Sequence, residues 1–460
     1  MFTELEVAGF KALRGPVKCP LGTITLVYGP NSSGKTSILQ SLGLLKQSSF
    51  AEVRFNGPTV SLGSFRNALA GQGRGVAGTD KISFDLAVLD GDGLRHGFGL
   101  DLQEMKNSDA GIFTRLRQSI GEGDSSRIEF VRTDRPIATA RRQFPSRRPT
   151  ASSNWRLVNF SIGGDEVEST AELSRSRPPI DERDIAGLLP TQFGLLRDTF
   201  SDVKFGGGLV RSGLTSLGPA SEVFHRFWNS QRQHLESIRD LVYVGPTREV
   251  PGPVLVSSDR RRDRDPFGVE YLQFLEHPAL VEQVNEYLSR LAIPYELVMR
   301  HFRAEANDPM LPVRMGSLWL RPTGSSVTVG LDDVGYGVSQ VLPQLLAIAG
   351  DSKLGLIEQP ELHLHPRLQA DLADLFIATT IGRERQLLVE THSESLLLRL
   401  QRRIREGSLD PAAIRILYVL PIRDGSQSDV IQIQLAADGS FMSEWPHGFF
   451  EERFVELFGA

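Results

Sequence analysis

Residues 23–45 read TITLVY, GPNSSGKT, SILQSLGLL, and this stretch decides the fold of the chain. Residues 23–28 are β-branched and apolar, whereas Ile38, Leu42 and Leu45 recur at helical spacing, so the segment between them joins a strand to a helix. That segment matches G-x-x-x-x-G-K-[ST], and its strand-to-helix context separates it from a chance match in a chain with 44 glycines. Gly29, Pro30, Asn31, Ser32, Ser33 and Gly34 can turn backbone N–H groups inward at a helix N-terminus, where they cradle phosphates. Lys35 then reaches the β- and γ-phosphates, Thr36 holds Mg²⁺, and Ser37 opens the helix at the edge of the site. ATP with Mg²⁺ is the ligand this pattern predicts.

The rest of the composition fits such a site. The chain has 460 residues, 40% hydrophobic and 23% charged, which is globular usage and excludes disordered and fibrous classes. A net charge of −5 means that any nucleic-acid contact must come from a local patch. One cysteine, Cys19, cannot form an intrachain disulfide, which points to a reducing compartment. Residues 1–10 (MFTELEVAGF) read as a first strand and not a signal, and no apolar run approaches the roughly 18 residues of a membrane span. A cytoplasmic protein without membrane contact is expected.

Working outward from the loop, residues 1–95 form an N-terminal lobe, with a glycine-rich loop at 71–78, a strand at 81–89 and a turn at 90–93. Residues 96–240 lose clear periodicity and read as an Arg-rich insertion. Within 111–160 there are ten arginines against four acids, a local +6. Such a patch can track phosphates by counterion release or be a solvated face, and the same two readings hold for RRRDR at 260–264. A helix at 223–241, a strand at 242–244 running into Gly245-Pro246, and a helix at 278–291 begin a C-terminal lobe, 241–425. An acidic tail, 426–460, carries WPHGFF, read as an apolar segment that docks on the core.

Three further motifs lie in the C-terminal lobe. In residues 354–366 (LGLIEQPELHLHP) an apolar strand ends at Glu358, the Walker B position expected to hold Mg²⁺ opposite the phosphate loop. Upstream, GYGVSQ at 335–340 opens an apolar helix whose N-terminus is either a second anion site or an ordinary glycine-rich cap. Downstream, LLVETHS at 387–393 is a strand ending near His392, which either senses a γ-phosphate or is structural. Glu361, His363 and His365 are zinc-like in type, but their place after Walker B explains them without zinc.

These elements in this order resemble the ABC-type ATPase heads of the SMC, RecF and OLD (overcoming lysogenization defect) superfamily, an α/β fold with a mixed sheet flanked by helices, here with the Arg-rich insertion. More narrowly the chain resembles a bacterial predicted-ATPase family carrying GPNSSGKTS, LGSF, a GPxRE-like turn, GVSQVLP, EQPELHLHP, ETHS and a WPxGFF tail. These stand here at 29–37, 62–65, 245–249, 337–343, 358–366, 390–393 and 445–450. The resemblance implies a head-to-tail homodimer or higher oligomer with two sandwiched ATP molecules, each also met by the partner's Gly335, Gly337 and Ser339. His392 matches the switch histidine, and residues 363–366 overlap the loop where two such subunits touch.

The signature departs from that pattern, with Gly335-Tyr336-Gly337 and Ser339 displaced two residues further on, so backbone donors must do more; the important departure is at position 359. Gln359 stands where ABC ATPases place the glutamate that polarises the attacking water, and glutamine cannot accept a proton. Slow turnover and a long-lived ATP dimer are expected unless Glu361 or Glu390 substitutes; alternatively Gln359 orients the water, as a glutamine does in some GTPases. OLD-type proteins carry a Toprim nuclease after the ATPase, whereas 394–460 is too short for one. A nuclease or toxin effector would then act in trans, as in the Septu and PARIS anti-phage systems that the chain resembles. The alternative is a RecF-like DNA-repair clamp without a nuclease.

Overall fold

Strands of a parallel sheet covered on both faces are uninterrupted apolar runs, and three segments here have that character. ITLVY (β3, Ile24–Tyr28), LGLIE (β17, Leu354–Glu358) and QLLVE (β18, Gln386–Glu390) are buried at every position. The computed structural model describes residues 1–48, 52–70, 80–105, 108–121, 126–133, 154–162, 165–166, 180–181, 204–205, 208–209, 236–248, 255–257, 277–302, 314–420, 429–446 and 459. The chain divides into two compact units, one of residues 1–19, 44–55 and 62–239, the other of 20–43, 56–61 and 240–460.

The second unit is built on a six-stranded sheet. β13 (Val242–Val244), β17, β18, β3 and β19 (Ile414–Val419) run parallel in that order, and β20 (Val430–Ile433) closes the edge antiparallel to β19. Helices in this unit include α1 (Lys35–Gln47, whose last turn is assigned to the other unit), α3 (Ala279–Arg290), α4 (Tyr336–Ala349), α5 (Pro366–Thr380) and α6 (Glu394–Arg405). A three-stranded antiparallel sheet, β14 (Leu255–Ser257), β16 (Arg314–Pro322) and β15 (Tyr295–Phe302), packs with α3 and α4 on the same core. The fold is mixed α/β, with sheets flanked by helices. Ligands of open α/β sheets bind at the carboxyl ends of the strands. Those ends here are Tyr28, Glu358 and Glu390.

Trp445, the first residue of WPHGFF, is 9% exposed and meets Tyr28, Tyr418 and Phe441 edge to face, with centroids 5.5, 5.8 and 5.2 Å away. Three such pairs anchor the tail's start in the core, each contributing about 0.5–1.5 kcal/mol beyond area burial. Residues 447–450 lie outside the described residues.

The first unit is antiparallel. β1 (Phe2–Ala8), β2 (Val17–Pro20), β4 (Lys81–Leu89), β5 (Arg95–Glu104), β6 (Gly111–Ile120), β7 (Ser126–Thr133) and β8 (Asn154–Ile162) join the two-residue strands β9 (Asp165–Glu166) and β10 (Ile180–Asp181) in one sheet. β11 (Lys204–Phe205) and β12 (Gly208–Leu209) form a separate pair, and Ser64 caps a short helix, α2 (Phe65–Ala68). The boundary expected at residue 95 falls at the first residue of β5, which pairs with β4 from Leu89↔Arg95 to Lys81↔Gln103, so the sheet runs through it. Periodicity fades there because charges sit among the strands. Arg117 bonds Asp101 at 2.7 Å and Asp85 at 3.1 Å, and Arg115 pairs with Glu129 at 2.7 Å. Two of the ten arginines in the stretch that reads as either a phosphate-tracking patch or a solvated face are thus ion-paired within the sheet.

Arg135, Arg141, Arg142, Arg147 and Arg148, the loop 71–78, most of the expected helix 223–241 and the run 260–264 lie outside the described residues. Burial pushes the Cys19 thiol up to about 12, with the Glu4 charge adding to the shift, so Cys19 behaves as a core residue. No described helix is long and apolar enough to cross a membrane.

Candidate functional site

The phosphate-type loop leaves the carboxyl end of β3 and enters α1 through left-handed backbone at Gly29 (φ 143°), Ser32 (φ 62°) and Gly34 (φ 108°). A Cβ on Gly29 would stand 2.5 Å from the carbonyl oxygen of Val419, so close approach and φ both demand glycine. Asn31 and Ser32 are exposed, Pro30 is half-buried, and Ser33 and Ser37 are buried. Lys35 is 4% exposed and donates from Nζ to the carbonyls of Gly29 (3.0 Å) and Pro30 (2.8 Å), folding back over the loop. Burial lowers its pKa, and the charges of Glu390 and Glu361 oppose that shift.

The parallel register makes Glu358 and Glu390 direct neighbours at the ends of β17 and β18, 4% and 3% exposed. Registered neighbours on parallel strands present their side chains to the same face of a sheet, about 4.8 Å apart. Thr36 donates from Oγ1 to Oε1 of Glu390 at 3.1 Å, while Glu358 Oε1 accepts the phenol hydroxyl of Tyr243 on β13. Burial pushes Glu390 above the usual carboxylate range against the Thr36 hydrogen bond and the Lys35 charge. Tyr243 is pushed well up by burial and then by the Glu358 charge.

Arg248, 5% exposed, closes the back of this region. Its guanidinium donates to the carbonyls of Glu358 (2.6 Å), Gln359 (3.1 Å), Gly245 (3.1 Å) and Gln340 (3.4 Å), and its own carbonyl accepts the Gln340 side-chain amide at 2.6 Å. Gln359 turns the chain with φ 44°, and its N–H bonds the Glu390 carbonyl at 2.7 Å. Both oxygens of Glu361 are engaged, by the Thr391 hydroxyl (2.7 Å) and the His392 N–H (2.6 Å). Burial raises the Glu361 pKa, and these two hydrogen bonds pull it back. His392 is held toward its neutral form by burial and by the Lys35 charge.

At the N-terminus of α4, Gly335 has open space where a Cβ would be, whereas a Cβ on Gly337 would stand 2.7 Å from the carbonyl of His363. Gly337 therefore has a packing reason to be glycine. Ser339 is 4% exposed and returns its hydroxyl to the carbonyl of Tyr336 at 2.9 Å, inside its own helix. Tyr336 is exposed and stands edge to face on His363, with centroids 4.6 Å apart. His365 caps α5 by accepting the Arg367 N–H, ahead of Pro366 at the first helical position.

The structure thus brings Lys35, Thr36, Glu358, Glu361 and His392 to one end of one sheet, and Arg248 ties Gln340 of α4 to the Glu358 and Gln359 carbonyls beside them. This donor set fits a nucleoside triphosphate with Mg²⁺. A loop of left-handed residues opens onto a helix N-terminus, a buried lysine rests on carbonyls it can leave for phosphate, and a threonine hydroxyl stands beside buried carboxylates. Sequence reading did not assign Tyr243 or Arg248 a role. Arg248 lies in the GPTRE turn already singled out at 245–249, whereas nothing in the sequence marks Tyr243.

Fold and site together define a P-loop ATPase. The chain belongs to the family described as "AAA domain, putative AbiEii toxin, Type IV TA system", whose model matches residues 24–399. No curated protein matches the chain. Similar solved structures include an Smc head bound to the C-terminal winged-helix domain of ScpA (14% identity, TM-score 0.40, 94% of this chain and 98% of that one). The SMC head domain of Thermotoga maritima is similar at 13% identity and TM-score 0.40, over 94% of this chain and 99% of that one. An Smc head with an extended coiled coil from Pyrococcus furiosus, bound to the C-terminal domain of ScpA, matches at 13% and 0.40, over 94% and 96%.

Proposed function

We propose that this ATPase is a nucleotide-latched dimeric switch that controls a nuclease or toxin partner in trans in a bacterial, cytoplasmic anti-phage defence system. ATP with Mg²⁺ binds to residues 29–37 of one protomer, and the Gly335 turn of a second protomer closes on its γ-phosphate. Thr36 and Glu358 hold the cation, Lys35 swings from the Gly29 and Pro30 carbonyls to the phosphates, and His392 reads the γ-phosphate. Hydrolysis is slow because Gln359 offers no proton acceptor. The family's description, which names a toxin of a toxin–antitoxin system, supports an effector-linked role. Residues 111–160 are the proposed DNA-facing segment, carried by Arg141, Arg142, Arg147 and Arg148.

The observation that carries the reading is the convergence of Lys35, Thr36, Glu358 and His392 beside a glutamine at 359. Mixed-subunit complementation tests it. Gly335→Asp fits the open space at that position and places a negative charge on the α4 N-terminus, while Lys35→Ala disables the phosphate loop. Each variant alone should lose ATP turnover, and a mixture should recover part of it through one intact composite site. A mixture as inactive as its components would refute the head-to-tail arrangement.

A further inference from the structure

Two buried carboxylates lie side by side at the ends of β17 and β18, and only one of them, Glu358, is the expected cation ligand. The other is placed at least as well. Glu390 accepts the Thr36 hydroxyl through Oε1, and its Oε2 is buried with no hydrogen-bond partner among the described residues. A carboxylate oxygen buried without a partner carries a penalty that is relieved when a donor, a proton or a cation arrives. The orientation of Thr36 suits that arrival. A hydroxyl whose hydrogen goes to a carboxylate keeps its lone pairs for a metal ion.

We propose that Glu390 is the second carboxylate of the cation site, holding the divalent ion or one of its bound waters through Oε2 while Oε1 orients the Thr36 hydroxyl onto the ion. The proposal rests on the nucleotide-site reading and adds a ligand to it. Mg²⁺ keeps several waters and takes one or two carboxylates together with substrate phosphates, which matches a site with two carboxylates and one hydroxyl. Among the described residues no group of three or more His, Cys, Asp or Glu side chains is placed to hold a metal, so waters and phosphate oxygens are the remaining ligands the proposal calls on. Glu358, with one oxygen on Tyr243, cannot give both oxygens to the ion without giving up that bond. A second carboxylate opposite Tyr243 answers that shortage.

The test is Mn²⁺ affinity, read by electron paramagnetic resonance of the full chain with a non-hydrolysable ATP analogue, for native protein and Glu390→Gln. Nucleotide affinity in EDTA is measured beside it. The Glu390→Gln change keeps an acceptor for Thr36 and nearly the same volume, so the fold is expected to survive; Glu390→Asp, which keeps the charge on a shorter arm, serves if it does not. The expected result is Mn²⁺ binding weaker by about 10–100-fold in Glu390→Gln, and less so in Glu390→Asp, with metal-free nucleotide binding not weakened in Glu390→Gln, because the change removes a negative charge beside the phosphate loop. Equal Mn²⁺ affinity in native and variant would overturn the proposal and leave the nucleotide site standing. Failure of native protein to bind the nucleotide with or without metal would overturn both.

Discussion

The carboxylate of Glu361 accepts the main-chain N–H of His392 at 2.6 Å. With the Thr391 hydroxyl on its other oxygen, Glu361 ties the loop after β17 to the loop after β18, so the turn that carries Gln359 and the residue proposed to sense the γ-phosphate move together. Both oxygens already serve this tie, which favours a positioning role for Glu361 over that of proton acceptor.

Glu361→Ala should therefore cost about 1–3 kcal/mol of stability, since it leaves a backbone N–H and a hydroxyl without their acceptor. Glu361→Gln keeps one acceptor and should lower turnover only modestly. If Glu361 were the general base instead, Glu361→Gln would lose about 10²–10⁴-fold in turnover with little change in stability, and comparing the two variants by thermal unfolding and phosphate release separates the cases.

Arg248 is a second tie, from the Glu358 and Gln359 carbonyls to Gln340 on α4. Lysine offers one point charge where this site uses a planar fork, so Arg248→Lys should lower the unfolding free energy by about 1–3 kcal/mol. It should also weaken ATP-dependent dimerisation more than nucleotide binding, because α4 carries the proposed partner-facing turn. Equal losses in both, by sedimentation and nucleotide titration, would remove the coupling role.

Burial raises the Glu390 pKa in the folded chain, so the folded state binds this proton more tightly than the unfolded state does. The contribution of Glu390 to stability is then greatest below its unfolded value and declines as pH rises through its folded value. Without metal or nucleotide, Glu390→Gln should be more stable than native at neutral pH, with the gap closing as pH falls from the raised folded value to the ordinary glutamate value of 4.5 and staying closed below it. Urea unfolding of both proteins across that range checks the slope; a gap that widens toward acid would reverse the assignment.

Local signals carried much of the fold and the centre of the site. The strand at 81–89, the helix at 278–291 and the strand-loop-helix at 23–45 were legible because periodicity and the G-K-T spacing lie within single segments. Glu358 could be placed from the apolar run before it. What could not be read depends on strand order. Thr36 meets Glu390 only because β18 lies between β3 and β17, and Tyr243 meets Glu358 only because β13 flanks β17, pairings of sequence-distant strands. The antiparallel unit beyond residue 95 was masked by Asp101, Arg115 and Arg117, charges paired among the strands that blur the period of two.

The central claim is that ATP latches a dimer which Gln359 keeps from resetting. Turnover and oligomeric mass, measured side by side for native protein, Gln359→Glu and Lys35→Ala with and without DNA, address it most directly. The account expects slow native hydrolysis with a stable ATP-dependent dimer, faster turnover and a shorter-lived dimer for Gln359→Glu, and neither dimer nor turnover for Lys35→Ala. Brisk native turnover, unchanged by Gln359→Glu, would contradict it.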